Sequence, residues 1–391
     1  MKLEPFALER LQSIWEHRVA WNISESGVHP LKVDELADTQ EDRDALLEQH
    51  LAYTQTNGTV ELRSAIANLY AGATAEHVQV TNGGSEANFI SLLRLLESGD
   101  EVVVMTPNYM QIPGAARALG ATVRSWPLVP SLADSANSAR WRLDLDALDA
   151  ITTRKTKAIV ICNPNNPTGG RLAAAELDAI CAIAKRAGAW IISDEIYRGA
   201  ELDTVETASM WGRYDRVIVT SGLAKAYGLP GLRIGWVLSS PNLIADLWGI
   251  HDYTTIGPGA LSDLLARVAL RPERRERILA RTRGIIATNY AIVRRWIERR
   301  EPALWHAPPE AGAITFIRYA HRIGSTELVE RLRDERSVLV VPGDHFDMDG
   351  YLRIGFGGDP LALTRALELI GEVLDTLPLK PGAKWSEEVA R

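Results

Sequence analysis

Four groups of polar residues each follow a short apolar run in this sequence and could do chemistry there. They are Gly83-Gly84-Ser85, Asn166-Pro167-Thr168-Gly169, Asp194-Glu195-Ile196-Tyr197 and Lys225. A glycine-rich turn before a helix offers backbone N–H groups to a phosphate, and a carboxylate that ends a buried strand needs a cationic partner. Taken singly, each group also suits an ordinary role as a turn, a helix cap or a surface lysine.

The elements that must position these groups are alternating helices and apolar strands. Apolar runs predict strands at residues 77–81, 101–105, 157–161, 189–193, 216–220 and 233–239, with helical spacing between most of them. Runs of this kind are typical of strands buried on both faces, so we predict an α/β fold with a mostly parallel central sheet flanked by helices. Ligands bind at the carboxyl ends of such strands, which is where the polar groups lie.

The C-terminal part of the chain predicts a second, smaller unit. Residues 303–378 alternate strands with helices in the manner of a small α+β domain. We therefore expect a large domain at residues 41–280 and a small domain at residues 281–391. The N-terminal segment, residues 1–40, has no sheet pattern and is expected to pack on the small domain.

Composition narrows the classes of function. The net charge is −7, so neither a nucleic acid nor a membrane is expected as a partner. Two cysteines, Cys162 and Cys181, are too few for a disulfide framework or a cysteine-based metal site, and they suit a reducing cytoplasm. Charges near the N-terminus and the lack of a long apolar stretch predict neither a signal segment nor a membrane span. We expect a cytoplasmic protein with no metal site.

Three ordered motifs carry a family resemblance. The segment AKAYGLPGLRIGW at residues 224–236 follows NPNNPTG at residues 163–169 and DEIY at residues 194–197. This set closely resembles the class I/II aminotransferases, which are fold type I enzymes that depend on pyridoxal 5'-phosphate (PLP). The resemblance extends over nearly the whole chain and implies an enzyme that acts on an amino acid.

The resemblance implies which residues are catalytic. Lys225 would hold PLP as a Schiff base and, once released, carry a proton between Cα of the substrate and C4' of the cofactor. Asp194 would pair with the pyridine nitrogen and keep it protonated, and Tyr197 with Asn166 would hydrogen-bond the O3' oxygen. The Asn166–Pro167 peptide bond is expected to be cis, as in the family.

The resemblance also implies the phosphate ligands, which are Gly84, Ser85 and Arg233. Arginine suits this role because its guanidinium is a fixed fork of donors. The sequence departs from the family at Gly222, where Ser or Thr is usual, and at Ala224, where Ser is common. Ser221 is displaced by one residue from the usual ligand position, and we keep it as a candidate phosphate contact.

Further positions match residues that contact the ring, the substrate or a partner. Tyr109 matches the aromatic residue that stacks on the pyridine ring, and Tyr53 matches the tyrosine that reaches the phosphate of a neighbouring subunit. The resemblance therefore implies a homodimer with shared active sites. Arg353 matches the arginine that binds the substrate α-carboxylate, and Gly27 and Asn166 would lie along the substrate.

The motifs leave the reaction open between two chemistries. Transfer of an amino group between an L-amino acid and a 2-oxo acid is the commoner activity in the family. The stretch ISESGVH at residues 23–29, with HDYTT at residues 251–255, is similar to capreomycidine synthases, which share the fold but eliminate and cyclise a hydroxyarginine. Glu25 in this stretch is either a solvated loop charge or an acid that meets a guanidinium or amine on the substrate.

Overall fold

Helices and strands alternate along most of the chain in this computed structural model, which describes residues 2–131 and 139–380. The helices are α1 (Ala7–Trp15), α2 (Val33–Leu36), α3 (Gln40–Glu48), α4 (Val60–Ala67), α5 (Gly84–Leu95), α6 (Gln111–Ala118), α7 (Leu145–Ile151), α8 (Ala174–Ala187), α9 (Pro241–His251), α10 (Ala260–Ala269), α11 (Pro272–Glu298), α12 (Ser325–Arg336) and α13 (Pro360–Leu374). The strands are β1 (Trp21–Asn22), β2 (Val78–Thr81), β3 (Glu101–Thr106), β4 (Thr122–Pro127), β5 (Val129–Ser131), β6 (Arg140–Arg142), β7 (Thr156–Cys162), β8 (Trp190–Asp194), β9 (Val217–Gly222), β10 (Gly235–Leu238), β11 (Leu304–His306), β12 (Ile314–Tyr319), β13 (Val338–Leu339), β14 (Val341–Pro342) and β15 (Tyr351–Gly355).

The central sheet has seven strands in the order β2-β10-β9-β8-β7-β3-β4. Strand β10 runs antiparallel to its neighbours β2 and β9, and the other neighbouring pairs are parallel. Helices α5, α6 and α9 pack on one face, while α7 and α8 pack on the other. The predicted α/β fold with a mostly parallel sheet flanked by helices is therefore confirmed.

Burial on both faces explains the continuous apolar runs. In β3, Val102 and Val104 join the apolar cluster on one face of the sheet, and Val103 and Met105 join the cluster on the other. Successive side chains of a strand point to opposite faces, so a strand covered on both faces is apolar at every position. This packing holds the carboxyl ends of the strands in fixed positions.

A second, antiparallel sheet has the order β11-β12-β15-β14, and its outer strands contact α11 and α12. The N-terminal segment reaches this part of the chain, because β1 pairs in parallel with β13. The domain boundaries at residues 40 and 280 stay predictions, and residues 381–391 of the predicted small domain lie outside the described residues. None of the helices in the described part of the chain is long and apolar enough to cross a membrane.

Strand β10 is shorter than the predicted run at residues 233–239. It begins at Gly235, because Arg233 has φ +53° and a left-handed residue cannot continue an extended strand. The polypeptide therefore turns sharply just before β10. This turn brings the Arg233 side chain to the same end of the sheet as the start of α5.

Candidate active site

The carboxyl ends of β7, β8 and β9 meet at a cavity of about 420 Å³. Most of the residues that the sequence singled out line it, namely Gly84, Ser85, Tyr109, Asn166, Asp194, Tyr197, Lys225, Arg233 and Arg353. A larger cavity of about 790 Å³ lies between α4 and α11, but it is lined by other residues. The smaller cavity is therefore the candidate active site.

One end of this cavity is shaped to hold an anion. Helix α5 begins at Gly84, and Gly83 before it has φ +87°, a conformation that favours glycine. A Cβ on Gly83 would stand 2.5 Å from Nη2 of Arg233, so glycine is what lets the guanidinium lie against this turn. Nη1 of Arg233 donates to the Pro230 carbonyl at 3.0 Å. A helix N-terminus and a guanidinium on one wall suit a phosphate.

Asp194 is a buried carboxylate that is held by two hydrogen bonds. Its oxygens accept hydrogen bonds from Nδ2 of Asn88 at 3.0 Å and from the Ile196 N–H at 3.1 Å. Burial raises the pKa of Asp194 above its usual value, although both hydrogen bonds act to lower it. No basic residue in the described ranges forms a salt bridge with Asp194. The carboxylate therefore suits a ligand that brings a positive charge.

Lys225 lies in the turn after β9, and its ammonium pairs with Glu25. Nζ donates to Oε1 of Glu25 at 2.7 Å, and the same oxygen accepts the N–H groups of Ser26 and Gly27. The charge of Lys225 lowers the pKa of Glu25 to about 2, against the opposing effect of burial. Burial is the largest influence on the pKa of Lys225 and acts to lower it, but Glu25 and Tyr197 together outweigh burial, so the net shift of the pKa is upward. Glu25 is thus the counterion of a protonated Lys225.

Arg353 is a buried guanidinium beside the same cavity. Nη1 donates to Oδ1 of Asn166 at 3.0 Å, and Nη2 donates to the Ser24 carbonyl at 2.6 Å. Nε is buried without a hydrogen-bond partner within the described residues, where no carboxylate forms a salt bridge with Arg353 either. Burial lowers the pKa of Arg353 from its usual value. A buried cation with a free donor suits a ligand carboxylate, which a guanidinium binds in two places.

Two tyrosines and one asparagine that the sequence analysis singled out also line the cavity. Tyr197 is buried, and burial raises its pKa to about 12. The Tyr109 hydroxyl donates to Oε1 of Glu9 at 2.7 Å, which fixes the direction of its ring. The Asn166–Pro167 peptide bond is cis, as the resemblance implies. Tyr109, Asn166 and Tyr197 thus line the same cavity as Lys225.

Three predicted residues do not line this cavity. The Ser221 hydroxyl donates to the Glu195 carbonyl at 3.1 Å. Gly27 lies beside Lys225, because a Cβ on Gly27 would stand 3.5 Å from Cδ of that lysine. Tyr53 lies on the surface with 88% of its area exposed. Their contacts with the phosphate, the substrate and a second subunit stay predictions.

Sequence reasoning missed several residues of the cavity. Asn88 donates to Asp194 and accepts from the Thr220 hydroxyl at 2.6 Å, so it orients the carboxylate. A polar residue on the buried face of α5 is the signal that could have revealed it. Glu9 and Gln12 of α1 line the cavity as well, although no motif in the N-terminal segment indicates a role.

These groups together fit PLP, which carries a phosphate, a pyridine nitrogen and an aldehyde. The turn at Gly83, which a side chain would fill, leaves room for Arg233 to bind a phosphate. No cation pairs with Asp194 in the part of the chain that the structure describes, and a protonated pyridine nitrogen would supply one. Lys225 offers the amine that an aldehyde needs. Each of the three features of the cofactor finds a matching group on the wall of one cavity.

Comparison with known proteins identifies the family. The sequence model of the family described as aminotransferase class I and II matches residues 27–370. Capreomycidine synthase of Streptomyces vinaceus is 32% identical to this chain over 319 residues, which are 82% of this chain and 80% of that protein. Both likenesses that the motifs predict are therefore confirmed.

Two solved structures share the fold over nearly the whole chain. A PLP-dependent aminotransferase from Streptococcus suis is 32% identical, with a TM-score of 0.88, and the match covers 97% of this chain and 100% of that one. The PLP-dependent cyclase OrfR is 27% identical, with a TM-score of 0.85 and a match over 96% of this chain and 98% of that one. The chain therefore belongs to the class I and II aminotransferase family of PLP-dependent enzymes, and PLP is its expected cofactor.

Proposed function

We propose that this protein transfers an amino group between an L-amino acid and a 2-oxo acid with PLP as its cofactor. The proposal rests on the charges of the cavity that contains Lys225, where neither Asp194 nor Arg353 forms a salt bridge within the described residues. An amino acid and PLP together bring both missing charges, since one carries a carboxylate and the other a basic pyridine nitrogen.

The cofactor would be held by residues from three strand ends. The start of α5 and Arg233 would bind the phosphate, Asp194 would hold a proton on the pyridine nitrogen, and Tyr109 would lie against the ring. Bound PLP supplies an electron sink that makes the Cα proton of an amino acid removable. Asn88 would keep the Asp194 carboxylate aimed at the nitrogen.

The remaining groups act on the substrate. Arg353 would bind the α-carboxylate in two places and so fix the orientation of Cα. Lys225 would take the proton from Cα through its Nζ, which must first give up the proton that Glu25 stabilises. Tyr197 and Asn166 would donate hydrogen bonds that hold the ring oxygen. The chain thus supplies a carboxylate receptor and a base in one cavity.

A second candidate is elimination followed by cyclisation on a hydroxylated, arginine-like amino acid. It is favoured by the 32% identity to capreomycidine synthase and by the likeness to the cyclase OrfR. Both chemistries begin with removal of the Cα proton by Lys225, so the same cavity supports either. They differ in that elimination needs a leaving group on the substrate side chain, whereas amino transfer does not.

We also propose that the protein is a homodimer with shared active sites. Leu51, Tyr53 and Tyr253 are exposed apolar residues on neighbouring segments, since Oγ1 of Thr54 donates to the Pro258 carbonyl at 3.1 Å. A large exposed apolar surface is typical of a protein interface. A second copy of the chain would cover it, and Tyr53 would then reach the phosphate in the partner's site, as the family resemblance implies.

The fate of the amino nitrogen distinguishes the two candidate reactions. PLP-loaded protein is incubated with isotopically labelled L-amino acids and a set of unlabelled 2-oxo acids, and the products are identified by mass spectrometry. Amino transfer predicts that the label appears in a new amino acid and that the donor becomes a 2-oxo acid. Elimination and cyclisation predict instead the loss of one water from a hydroxylated arginine, with its nitrogen retained. Both candidates would be contradicted if the natural protein formed neither product, or if Lys225→Ala formed the products as fast as the natural protein does.

A further inference from the structure

We propose that Glu25 binds a positively charged side chain of the substrate, with Glu9 as a second carboxylate in the same cavity. The inference rests on the proposed function, because it names the substrate class of that site. The substrates would be L-amino acids that carry a guanidinium or an ammonium at the end of the side chain. Glu25 would then determine specificity and would not be required for the removal of the Cα proton.

The position of Glu25 is fixed, yet its carboxylate is open to a ligand. Oε1 is held by the N–H groups of Ser26 and Gly27 at 2.9 and 3.1 Å. Oε2 has no hydrogen-bond partner in the part of the chain that the structure describes. The side chain is 53% exposed and lines the cavity. The contact with Nζ of Lys225 at 2.7 Å shows that a cation can approach this carboxylate from within the cavity.

The partner of Glu25 changes when Lys225 takes up its proposed role. A lysine that is joined covalently to the cofactor no longer offers an ammonium to Glu25. No other lysine or arginine in the described ranges forms a salt bridge with this carboxylate. A cation on the substrate would restore a charge-assisted hydrogen bond to the Glu25 carboxylate.

The other charges of the cavity already have proposed uses. Arg233 faces the phosphate end, and Arg353 is the receptor for the α-carboxylate, while Glu9 and Glu25 have no task in amino transfer itself. Glu9 accepts one hydrogen bond, from the Tyr109 hydroxyl, and forms no salt bridge within the described residues. Two carboxylates in one cavity favour a cationic side chain and repel an acidic one. A buried Arg353 with an unpaired Nε independently indicates that the cavity awaits a ligand.

The test uses ligands that bind without reacting. Desamino-arginine carries the guanidinium and the carboxylate of arginine but has no α-amino group. Desamino-citrulline is its uncharged analogue of nearly the same shape, and desamino-lysine carries an ammonium. Titration calorimetry on the PLP-loaded protein gives the dissociation constant of each ligand. The readout is binding alone, so it is independent of the amino-transfer assay.

We expect at least one of the two cationic ligands to bind about 10-fold or more tightly than desamino-citrulline, the effect of a charge-assisted hydrogen bond. Glu25→Gln should remove most of this preference while it changes the affinity for desamino-citrulline by less than about 2-fold. Glu25→Asp should retain the preference. The order of the two cations distinguishes a guanidinium substrate from an ammonium substrate.

Two further variants serve as control and second test. Glu330→Gln, which makes the same charge change on an exposed position of α12, should leave all three affinities unchanged. Glu9→Gln should reduce the cationic preference without loss of desamino-citrulline binding, and it serves as the test if Glu25→Gln does not fold. Equal binding of the three ligands by the natural protein, or an equal loss of all three in Glu25→Gln, would overturn the inference. The amino-transfer assay can still succeed in that case, so the two proposals fail separately.

Discussion

The charged residues of the cavity differ in whether they form an ion pair. Lys225 and Glu25 neutralise each other at 2.7 Å, whereas Asp194 and Arg353 are buried and form no salt bridge within the described ranges. Burying an unpaired ion costs several kcal/mol even after the protein relaxes. A ligand that pairs with Asp194 and Arg353 would offset the free-energy cost of burying their charges. This cost is therefore a physical reason for ligand binding at the site.

The first prediction concerns the effect of the buried Asp194 carboxylate on the free energy of unfolding. Because burial raises its pKa, the folded protein binds a proton there more tightly than the unfolded chain does. The contribution of Asp194 to stability is therefore present at acidic pH and lost as the pH rises through the raised pKa. Without cofactor, Asp194→Asn should be more stable than the natural protein near neutral pH, because the amide carries no charge to bury. The difference should shrink in mildly acidic buffer.

Urea unfolding of both proteins at the two pH values checks this prediction. The same substitution should weaken PLP binding about 10-fold or more, since an amide cannot pair with a protonated nitrogen as a carboxylate does. Stability and cofactor affinity are thus expected to change in opposite directions. A variant that is less stable than the natural protein near neutral pH and binds PLP equally well would contradict the assignment.

Sequence reasoning identified residues that stand next to strand ends and missed those that depend on distant packing. Asp194 and Lys225 follow apolar strands, so the rule for parallel sheets was enough to bring them together. Glu25 lies two hundred positions from Lys225, and their ion pair depends on how the N-terminal segment packs against the turn after β9. Asn88 looked like any other polar residue of a helix. Neither contact follows from local periodicity.

At the scale of elements, the phosphate end depends on how closely β10 approaches the turn before α5. A Cβ on Gly235 would stand 2.3 Å from the carbonyl carbon of Gly83 and 2.5 Å from the nitrogen of Gly84. Only glycine at this position of β10 permits the approach. The strand therefore supports the backbone that would bind the phosphate.

The second prediction follows from this contact. Gly235→Ala should reduce the free energy of unfolding by about 1–3 kcal/mol, because the backbone has to move to make room for the methyl group. The matched control is Gly249→Ala in α9, where a Cβ meets nothing within 4 Å. Alanine there should be neutral or stabilising by up to about 1 kcal/mol, since glycine is a poor residue inside a helix. Urea unfolding compares the two, and equal effects would contradict the account.

The direction of β10 shows where pattern reasoning ends. Its apolar residues predict a buried strand, but a strand buried on both faces has the same pattern whether it is parallel or antiparallel. No local pattern predicts the left-handed backbone conformation of Arg233 either, because arginine rarely adopts that conformation. The sheet and its strand ends were predictable, whereas this turn is determined by packing against the glycines.

At the scale of the whole molecule, the cavity depends on distant parts of the chain. Helix α1 contributes Glu9 and Gln12, the central sheet contributes Asp194, and β15 of the smaller sheet contributes Arg353. The Nε2 of Gln12 donates to the carbonyl of Ser24 at 3.1 Å, which ties α1 to the segment that carries Glu25. The domain boundaries and the cytoplasmic location remain predictions from the sequence.

The third prediction concerns the exposed apolar surface near Tyr53. Leu51→Asp should convert the proposed dimer into monomers, with a dissociation constant raised about 10-fold or more, because a charge would be buried at the interface. Leu361→Asp on α13 is the matched control, since Leu51 is 82% exposed and Leu361 is 79% exposed. Sedimentation velocity measures both. A dimer that tolerates Leu51→Asp, or a natural protein that is a monomer, would contradict the proposed interface.

Reduction with borohydride would identify the lysine that holds PLP, because it joins the cofactor permanently to that lysine. The reduced protein is digested, and the labelled peptide is identified by mass spectrometry. We expect the label on Lys225 and no label on Lys225→Ala. A label on another lysine, such as Lys157, or no label on the PLP-loaded protein, would contradict this expectation.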